Sequence, residues 1–294
     1  MWASEWIRLL RRYGLGQSKK VMINSRGEKT DLSYWESQWS EKGQPKSCFL
    51  DVDKPQLKNF AIRKFHHLFS SILNGRKGER LIEVGCGGSL WLPYFASRFN
   101  MEITGIDYSP TGCNRAREIL KRLNIHGEII ETDLFRPPSE MVDAFDVLVS
   151  LGVVEHFSDP SACICACGKF LRLGGKMITV IPNMTGLVGK VQKCMSPVVF
   201  NVHVPLKKED LEEAHRSAGL RVLSCDYFMF FNLSVVNMEF WKKSHPLAGK
   251  LVWEGLKGFT GAMWAIESVI PFLLKPNRYT SPLIVCVAQK GAAS

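Results

Sequence analysis

Leu81-Ile82-Glu83-Val84-Gly85-Cys86-Gly87-Gly88-Ser89 reads as a buried strand that runs into a glycine turn and then a helix. Glycine at Gly85 and Gly87 lets the backbone bend sharply and come close to a ligand. Outward from it, short β-rich apolar runs alternate with helical ones. Strands are predicted at Arg80–Val84, Glu102–Ile106, Glu128–Glu131, Phe145–Ser150 and Lys176–Ile181, with helices over 89–99, 110–123 and 159–172 between them. That alternation means βαβ units and a parallel sheet with helices on both faces. Leu206–Ala218 adds an amphipathic helix ended by Gly219, and two more strands follow at Arg221–Phe228 and Pro282–Ala288. Ligands of such sheets bind outside the carboxyl ends of the strands, where the glycine turn lies.

The 294 residues, 46% of them hydrophobic and 22% charged, suffice for one large core with additions. This excludes a disordered chain, and Gly and Pro show no collagen period. No apolar run of roughly 18 residues or more occurs, so no membrane span is expected. The N-terminus lacks the pattern of a secretory signal. Nine cysteines, odd in number and scattered, suggest a reduced, cytoplasmic protein, with membrane association as an alternative. Residues 1–80 carry a net charge of +8, residues 81–232 carry −2 and residues 233–294 carry +4. An anionic partner would meet the ends of the chain, unless the excess serves only solubility.

Acidic residues close successive strands. Asp107 ends the second strand, 24 residues after Glu83, and a carboxylate there can accept both hydroxyls of a ribose. Asp133 follows the third strand and can accept from an adenine amino group, while Glu83 beside the turn can face an ammonium. Three carboxylates without a fixed cation would repel a pyrophosphate, which weighs against NAD and ATP. The G-x-G-G spacing also lacks the third glycine of a dinucleotide fingerprint, and no Gly-Lys-Ser/Thr follows.

Over residues 78–232 the chain resembles the class I S-adenosylmethionine-dependent methyltransferases, of the small-molecule type. The resemblance rests on Leu81–Ser89, Asp107, the Asp133-Leu134 pair, the run Phe145–His156 and the strand entry Leu171–Lys176, in the family's order. Gly88-Ser89 departs from the commonest first motif. The resemblance implies a Rossmann-like seven-stranded α/β sheet with the last strand antiparallel. It also implies S-adenosylmethionine as cofactor, leaving as S-adenosylhomocysteine. Glu83, Gly85 and Gly87 would hold the methionine part, Asp107 the ribose, and Asp133 with Leu134 the adenine, with Cys86 and Tyr108 also assigned to the cofactor. Ser150 and Leu151 would line the methyl-donor end.

Methyl transfer needs a nucleophile in line with the sulfonium methyl, within about 3–3.5 Å. Glu155 and His156 follow the fourth strand, and His203 lies in the loop after the fifth. Each histidine is a candidate base, its ordinary pKa being about 6.5; positioning for His156 and a plain loop residue for His203 are the alternatives. Trp35 and Trp39 share a helical face in Tyr34–Trp39, a helix that closes over the cofactor in related enzymes or simply buries its aromatics. Tyr34 is assigned to the cofactor, and Trp35, Trp39, His203, Phe228, Trp241 and Arg278 to the substrate. Cys163, Cys165 and Cys167 lack a zinc-ligand spacing, with Cys163 and Cys167 on one helical face, so no metal is assigned.

The expected organisation is a helical arm and cap over 1–77, the cofactor-binding core over 78–232, a helical lid over 233–278 and a closing strand over 279–294. Within the arm, Trp2, Trp6, Leu9, Leu10 and Tyr13 share one helical face. The reading is methyl transfer to a small, lipophilic and in one variant anionic metabolite, on oxygen first and carbon next, by a monomer or homodimer. Nucleic acid is disfavoured because no Asn/Asp-Pro-Pro-Tyr/Phe follows the fourth strand. A peripheral membrane enzyme and a non-catalytic scaffold with the same sheet are the other rivals. Asp107→Ala is expected to remove cofactor binding and spare the fold.

Overall fold

The computed structural model describes residues 27–41 and 50–291. The amphipathic segment expected over residues 2–13, and most of the polar connector after it, lie outside the described residues. One sheet is formed by β1 (Arg80–Val84), β2 (Glu102–Asp107), β3 (Glu128–Glu131), β4 (Phe145–Leu151), β5 (Leu171–Pro182), β6 (Leu220–Phe228) and β7 (Leu283–Lys290). The strand order is β3-β2-β1-β4-β5-β7-β6. β7 runs antiparallel to both its neighbours, and every other pair is parallel. The expected seven-stranded sheet with an antiparallel last strand is therefore present.

Ten α-helices surround it among the described residues. They are α1 (Leu32–Glu41), α2 (Phe60–Leu73), α3 (Trp91–Phe99), α4 (Pro110–Leu123), α5 (Pro160–Gly168), α6 (Leu187–Met195), α7 (Pro197–Asn201), α8 (Lys208–Ser217), α9 (Glu239–Ser244) and α10 (Pro246–Val269). On one face of the sheet Phe69, Phe95 and Cys113 from α2, α3 and α4 pack against Leu81, Val147 and Ile178. On the other, Cys163, Cys167 and Leu211 from α5 and α8 pack against Ile82, Leu148 and Met177. Alternate residues of one strand thus serve opposite layers, as the strand period requires. Cys163 and Cys167 face this core while Cys165 is exposed, in keeping with the predicted helical faces.

Local chemistry sets the ends of the helices. Ser109 caps α4 by accepting from Gly112 N–H, with Pro110 in the first turn, and Asp159 caps α5 the same way ahead of Pro160. α5 stops at Gly168, earlier than predicted, because Leu171 already pairs with Phe145 and β5 begins there. In the segment 233–278, α10 ends before Pro271: the residue preceding a proline is driven out of the helical region, and Ile270 sits at φ −129°, ψ 59°. A separate apolar cluster joins α6 to this segment through Val188, Phe231, Leu233 and Met238.

Candidate active site

The carboxyl ends of β1, β2 and β4 enclose a cavity of about 150 Å³ that Asp107 lines, while the predicted acids Glu83 and Asp133 stand outside its lining. Val84 and Gly85 form its floor. Ile106, Asp107 and Tyr108 enter from β2, Thr132 and Leu134 from the end of β3, and Leu151, Gly152, Val153, His156 and Phe157 from β4 and the turn after it. Gly85 has a positive φ of 74°. A Cβ at Gly87 would meet the Trp39 indole at 2.6 Å, so glycine is what lets α1 lie on the turn.

Asp107 is buried and does two structural jobs. One oxygen accepts Gly87 N–H at 2.9 Å, and the other accepts Ser109 N–H at 2.8 Å. Each oxygen keeps a lone pair for a ligand hydroxyl. Burial raises its pKa against those hydrogen bonds. Glu83 lies deeper: Oε1 accepts from Ser89 Oγ at 2.8 Å, and Oε2 is buried without a partner. Burial pushes this carboxyl up to about 8; Ser89 opposes the rise and the Asp107 charge adds to it. An unpartnered carboxylate oxygen in such a place fits an ammonium donor.

A roof comes from the chain before the core. Glu28 forms an antiparallel bridge with Phe157. Ser158 N–H donates to the Gly27 carbonyl at 2.7 Å, Lys29 N–H to that of His156 at 2.8 Å, and Lys29 Nζ to that of His203 at 2.8 Å. Glu28 is buried, accepts Tyr108 O–H at 2.7 Å, and lines the cavity with Thr30, Trp35 and Trp39. Trp35 stacks on Trp39, meets His156 edge-on at 5.2 Å between ring centroids, and donates Nε1–H to Thr30 Oγ1 at 3.1 Å. Glu36 anchors α1 by accepting from Ser109 Oγ and Thr111 Oγ1 at the start of α4.

Beside the cavity Glu155, His156 and His203 bring one ligating atom each within 4.8 Å of one another. His156 Nδ1 lies 2.9 Å from the Val202 carbonyl, and His203 Nδ1 lies 2.6 Å from that of Val199. A carbonyl only accepts, so each Nδ1 carries the proton and each Nε2 is left as the basic nitrogen. Burial, then neighbouring His203, holds His156 down to about 3, and burial likewise lowers His203. Glu155 is buried with Oε2 unpartnered and is pushed up to about 8 by burial. Near neutral pH this leaves His156 a poor proton acceptor and Glu155 already protonated, while in composition two imidazoles and a carboxyl can ligate a divalent cation.

The remaining sequence candidates fall at graded distances from the cavity. Cys86 is buried against Gly105, and Ser150 is buried with its Oγ unpartnered. Asp133 accepts from Phe135 N–H while its neighbours Thr132 and Leu134 line the cavity. Tyr34 packs edge-on against Trp35, and burial raises its phenol with the Glu239 charge adding to the rise. Phe228 packs on Phe65, Trp241 belongs to the cluster around α10, and Arg278 lies over the Tyr279 ring; none of the three lines the cavity. Sequence reasoning missed Glu28 and Thr30, which sit in a polar stretch with no periodicity. It also missed Ile106, Thr132 and Val153, which adjoin residues it named.

Residues 82–179 match a family described as a methyltransferase domain. The chain is 28% identical over 171 residues to a ubiquinone biosynthesis O-methyltransferase of Xanthomonas oryzae pv. oryzae, covering 55% of this chain and 68% of that protein. It is 32% identical over 158 residues to the protein of the same description from Mesorhizobium japonicum, covering 50% and 61%. Among solved structures, a geranyl diphosphate C-methyltransferase from Streptomyces coelicolor, in complex with a magnesium ion, a geranyl diphosphate analogue and S-adenosylhomocysteine, superposes with a TM-score of 0.56 at 12% identity, covering 88% of this chain and 97% of that one. The cyclase SpnF superposes with a TM-score of 0.56 at 17% identity, covering 89% and 93%. At these identities the structures speak for the fold alone.

Proposed function

The chain carries a class I S-adenosylmethionine-dependent methyltransferase domain, and from that premise we propose that it methylates a small lipophilic acceptor, on oxygen first and on carbon next. The observation that carries the reading is the buried Glu83–Asp107 pair around the Gly85–Gly87 turn. It offers a partner for an ammonium and free lone pairs for ribose hydroxyls beside an apolar cavity. When bound, S-adenosylmethionine supplies the activated methyl group.

In this reading Asp107 holds the ribose, with Tyr108 and Glu28 beside it. Ile106, Thr132 and Leu134 flank the adenine, and Glu83 takes the amino group. α1 and the 27–31 strap roof the cavity, where Trp35 and Trp39 exclude water. His156 lines the cavity as a neutral imidazole, and its Nε2 accepts a hydrogen bond that orients the acceptor hydroxyl. Of the expected cap, residues 27–41, 50–77 and 233–278 cover the core, and residues 78–232 with the strand in 279–291 form the catalytic core. The similarity to the O-methyltransferases, weak as it is at 28% identity, favours oxygen as the nucleophile, and the apolar segment 233–278 favours a lipophilic acceptor.

Calorimetric titration with S-adenosylhomocysteine tests the cofactor site, with near-stoichiometric binding expected. Transfer of labelled methyl to phenols, lipophilic acids and prenyl compounds then tests the acceptor class. A folded protein that binds no S-adenosylhomocysteine would make the chain a scaffold. Binding without transfer to any of these compounds would overturn the acceptor class alone.

A further inference from the structure

α10 turns one face inward, where Gly249, Thr260, Trp264 and Glu267 are buried. Trp264 stacks on Phe60 and donates Nε1–H to the Phe231 carbonyl, and Glu267 pairs with Lys64 at 2.7 Å. The opposite face, at about 100° per residue, has no protein over it among the described residues. Leu247 is 82% exposed, Leu251 74% and Val269 78%, and just beyond the helix Phe272 is 68% and Leu273 64% exposed. Between the two ends of the stripe stand only the small residues Gly255, Gly258, Ala262 and Ala265, with Glu254 on its edge paired to Lys257. Two exposed apolar clusters on one helix face mark a contact site.

Charge identifies the partner. Lys250 and Lys257 are exposed one heptad apart on one flank of α10, Lys257 paired with Glu254 over the Trp253 ring, and Lys275 is exposed just beyond Phe272 and Leu273. From Lys243 to Lys275 the only acids are Glu254, paired with Lys257 at 2.8 Å, and the buried Glu267. We propose that this face of α10, continued by Phe272 and Leu273, docks on the surface of an anionic lipid bilayer. The apolar ridge enters the headgroup boundary and the lysines meet lipid phosphates. No helix among the described residues is long and apolar enough to cross a membrane, so the helix lies on the surface. A second copy of the chain is the weaker occupant, since self-pairing sets the same lysine flank against itself. Through Val188 and Leu233, α10 belongs to the cluster beyond the carboxyl ends of β5 and β6. That is the side of the sheet where the glycine turn lies.

Flotation of the full chain with phosphatidylcholine vesicles, with and without phosphatidylglycerol, tests the docking. Flotation is expected with the anionic vesicles only, weakening as salt rises. Lys250→Glu with Lys257→Glu should weaken it at least about 25-fold, taking about fivefold for each lysine lost. Leu251→Asp with Val269→Asp should abolish it. These side chains lie away from the cofactor cavity, so S-adenosylhomocysteine affinity should stay at the wild-type value in both variants, and melting temperature should fall only slightly where Lys257→Glu breaks the pair with Glu254. Wild-type protein that stays unfloated with anionic vesicles, or variants that float as well as wild type, would overturn the proposal. So would equal flotation with both lipids, or a dimer in light scattering that Leu251→Asp splits. Loss of S-adenosylhomocysteine binding alone would undo the enzyme reading and leave the docking standing.

Discussion

Asp107 and Glu83 sit 24 positions apart in sequence and act on opposite ends of one ligand in the proposed site. The sequence alone predicts that Asp107→Ala spares the fold. The structure adds that Gly87 and Ser109 N–H would both lose their acceptor, at about 1–3 kcal/mol for each buried donor left unmade. Asp107→Ala should therefore lower the melting temperature as well as the affinity. Asp107→Asn keeps one oxygen for a backbone donor and is the cleaner variant. It should reduce S-adenosylhomocysteine affinity about tenfold to a hundredfold, the range for hydrogen bonds to a charged group. Unchanged affinity by calorimetry would remove Asp107 from the ribose. Glu83 carries a different signature. With its pKa raised to about 8 it holds a proton at pH 7, and a ligand ammonium must ionise it. Binding at pH 7 should then release close to one proton, and affinity should rise with pH until Glu83 ionises unaided, near 8. Titrations in buffers of unequal ionisation enthalpy read this directly. An observed enthalpy independent of buffer would mean Glu83 does not meet the ammonium.

Helix α1 shows how an element outside the core completes the cavity, and why much of that was hard to read. The core strands were legible because each is a short apolar run with glycine, proline or a capping residue at its ends, as at Arg80–Val84 and Ser109-Pro110. The acids were legible because they close those strands. The pairing of Glu28 with Phe157 spans 129 positions and depends on backbone groups, which leave no periodicity in the side chains. Tyr34–Trp39 was legible as a helix but not as the partner of Gly87, since only the folded turn brings the indole within reach. That contact predicts a pattern for a mutant cycle. Gly87→Ala places a methyl 2.6 Å from the Trp39 indole and should cost about 1–3 kcal/mol by overpacking, tilting α1 and weakening S-adenosylhomocysteine binding. With Trp39→Ala already in place, the indole that the methyl overlaps is gone, and Gly87→Ala should add less further loss. Melting temperatures and affinities of the four proteins measure the coupling. Additive effects would show that Trp39 does not lie on the turn in solution.

Across the whole molecule the buried titratable groups set opposing slopes in stability against pH. Burial raises Glu83 and Glu155 to about 8 from an ordinary 4.5. The folded state therefore holds protons that the unfolded chain gives up above pH 4.5, and stability falls as pH rises through that window. Burial lowers His156 to about 3 from an ordinary 6.5, and lowers His203 and His215 in the same direction. Their contribution is whole above the unfolded value and is lost as acid protonates the unfolded chain. Stability should thus peak on the mildly acidic side of neutrality. Above pH 7 the histidines are neutral in both states and only the carboxyls act, at up to about 1.4 kcal/mol per pH unit for each. The unliganded protein should lose a few degrees of melting temperature for each unit as pH rises toward 8. Saturation with S-adenosylhomocysteine ionises Glu83 in the folded state and removes its share, leaving a shallower slope from Glu155. Melting curves with and without the ligand, in buffers of matched ionic strength, separate the two. A flat unliganded profile above neutrality would mean that neither carboxyl is held protonated in the fold. Equal slopes with and without ligand would place the ammonium away from Glu83, whatever the affinity.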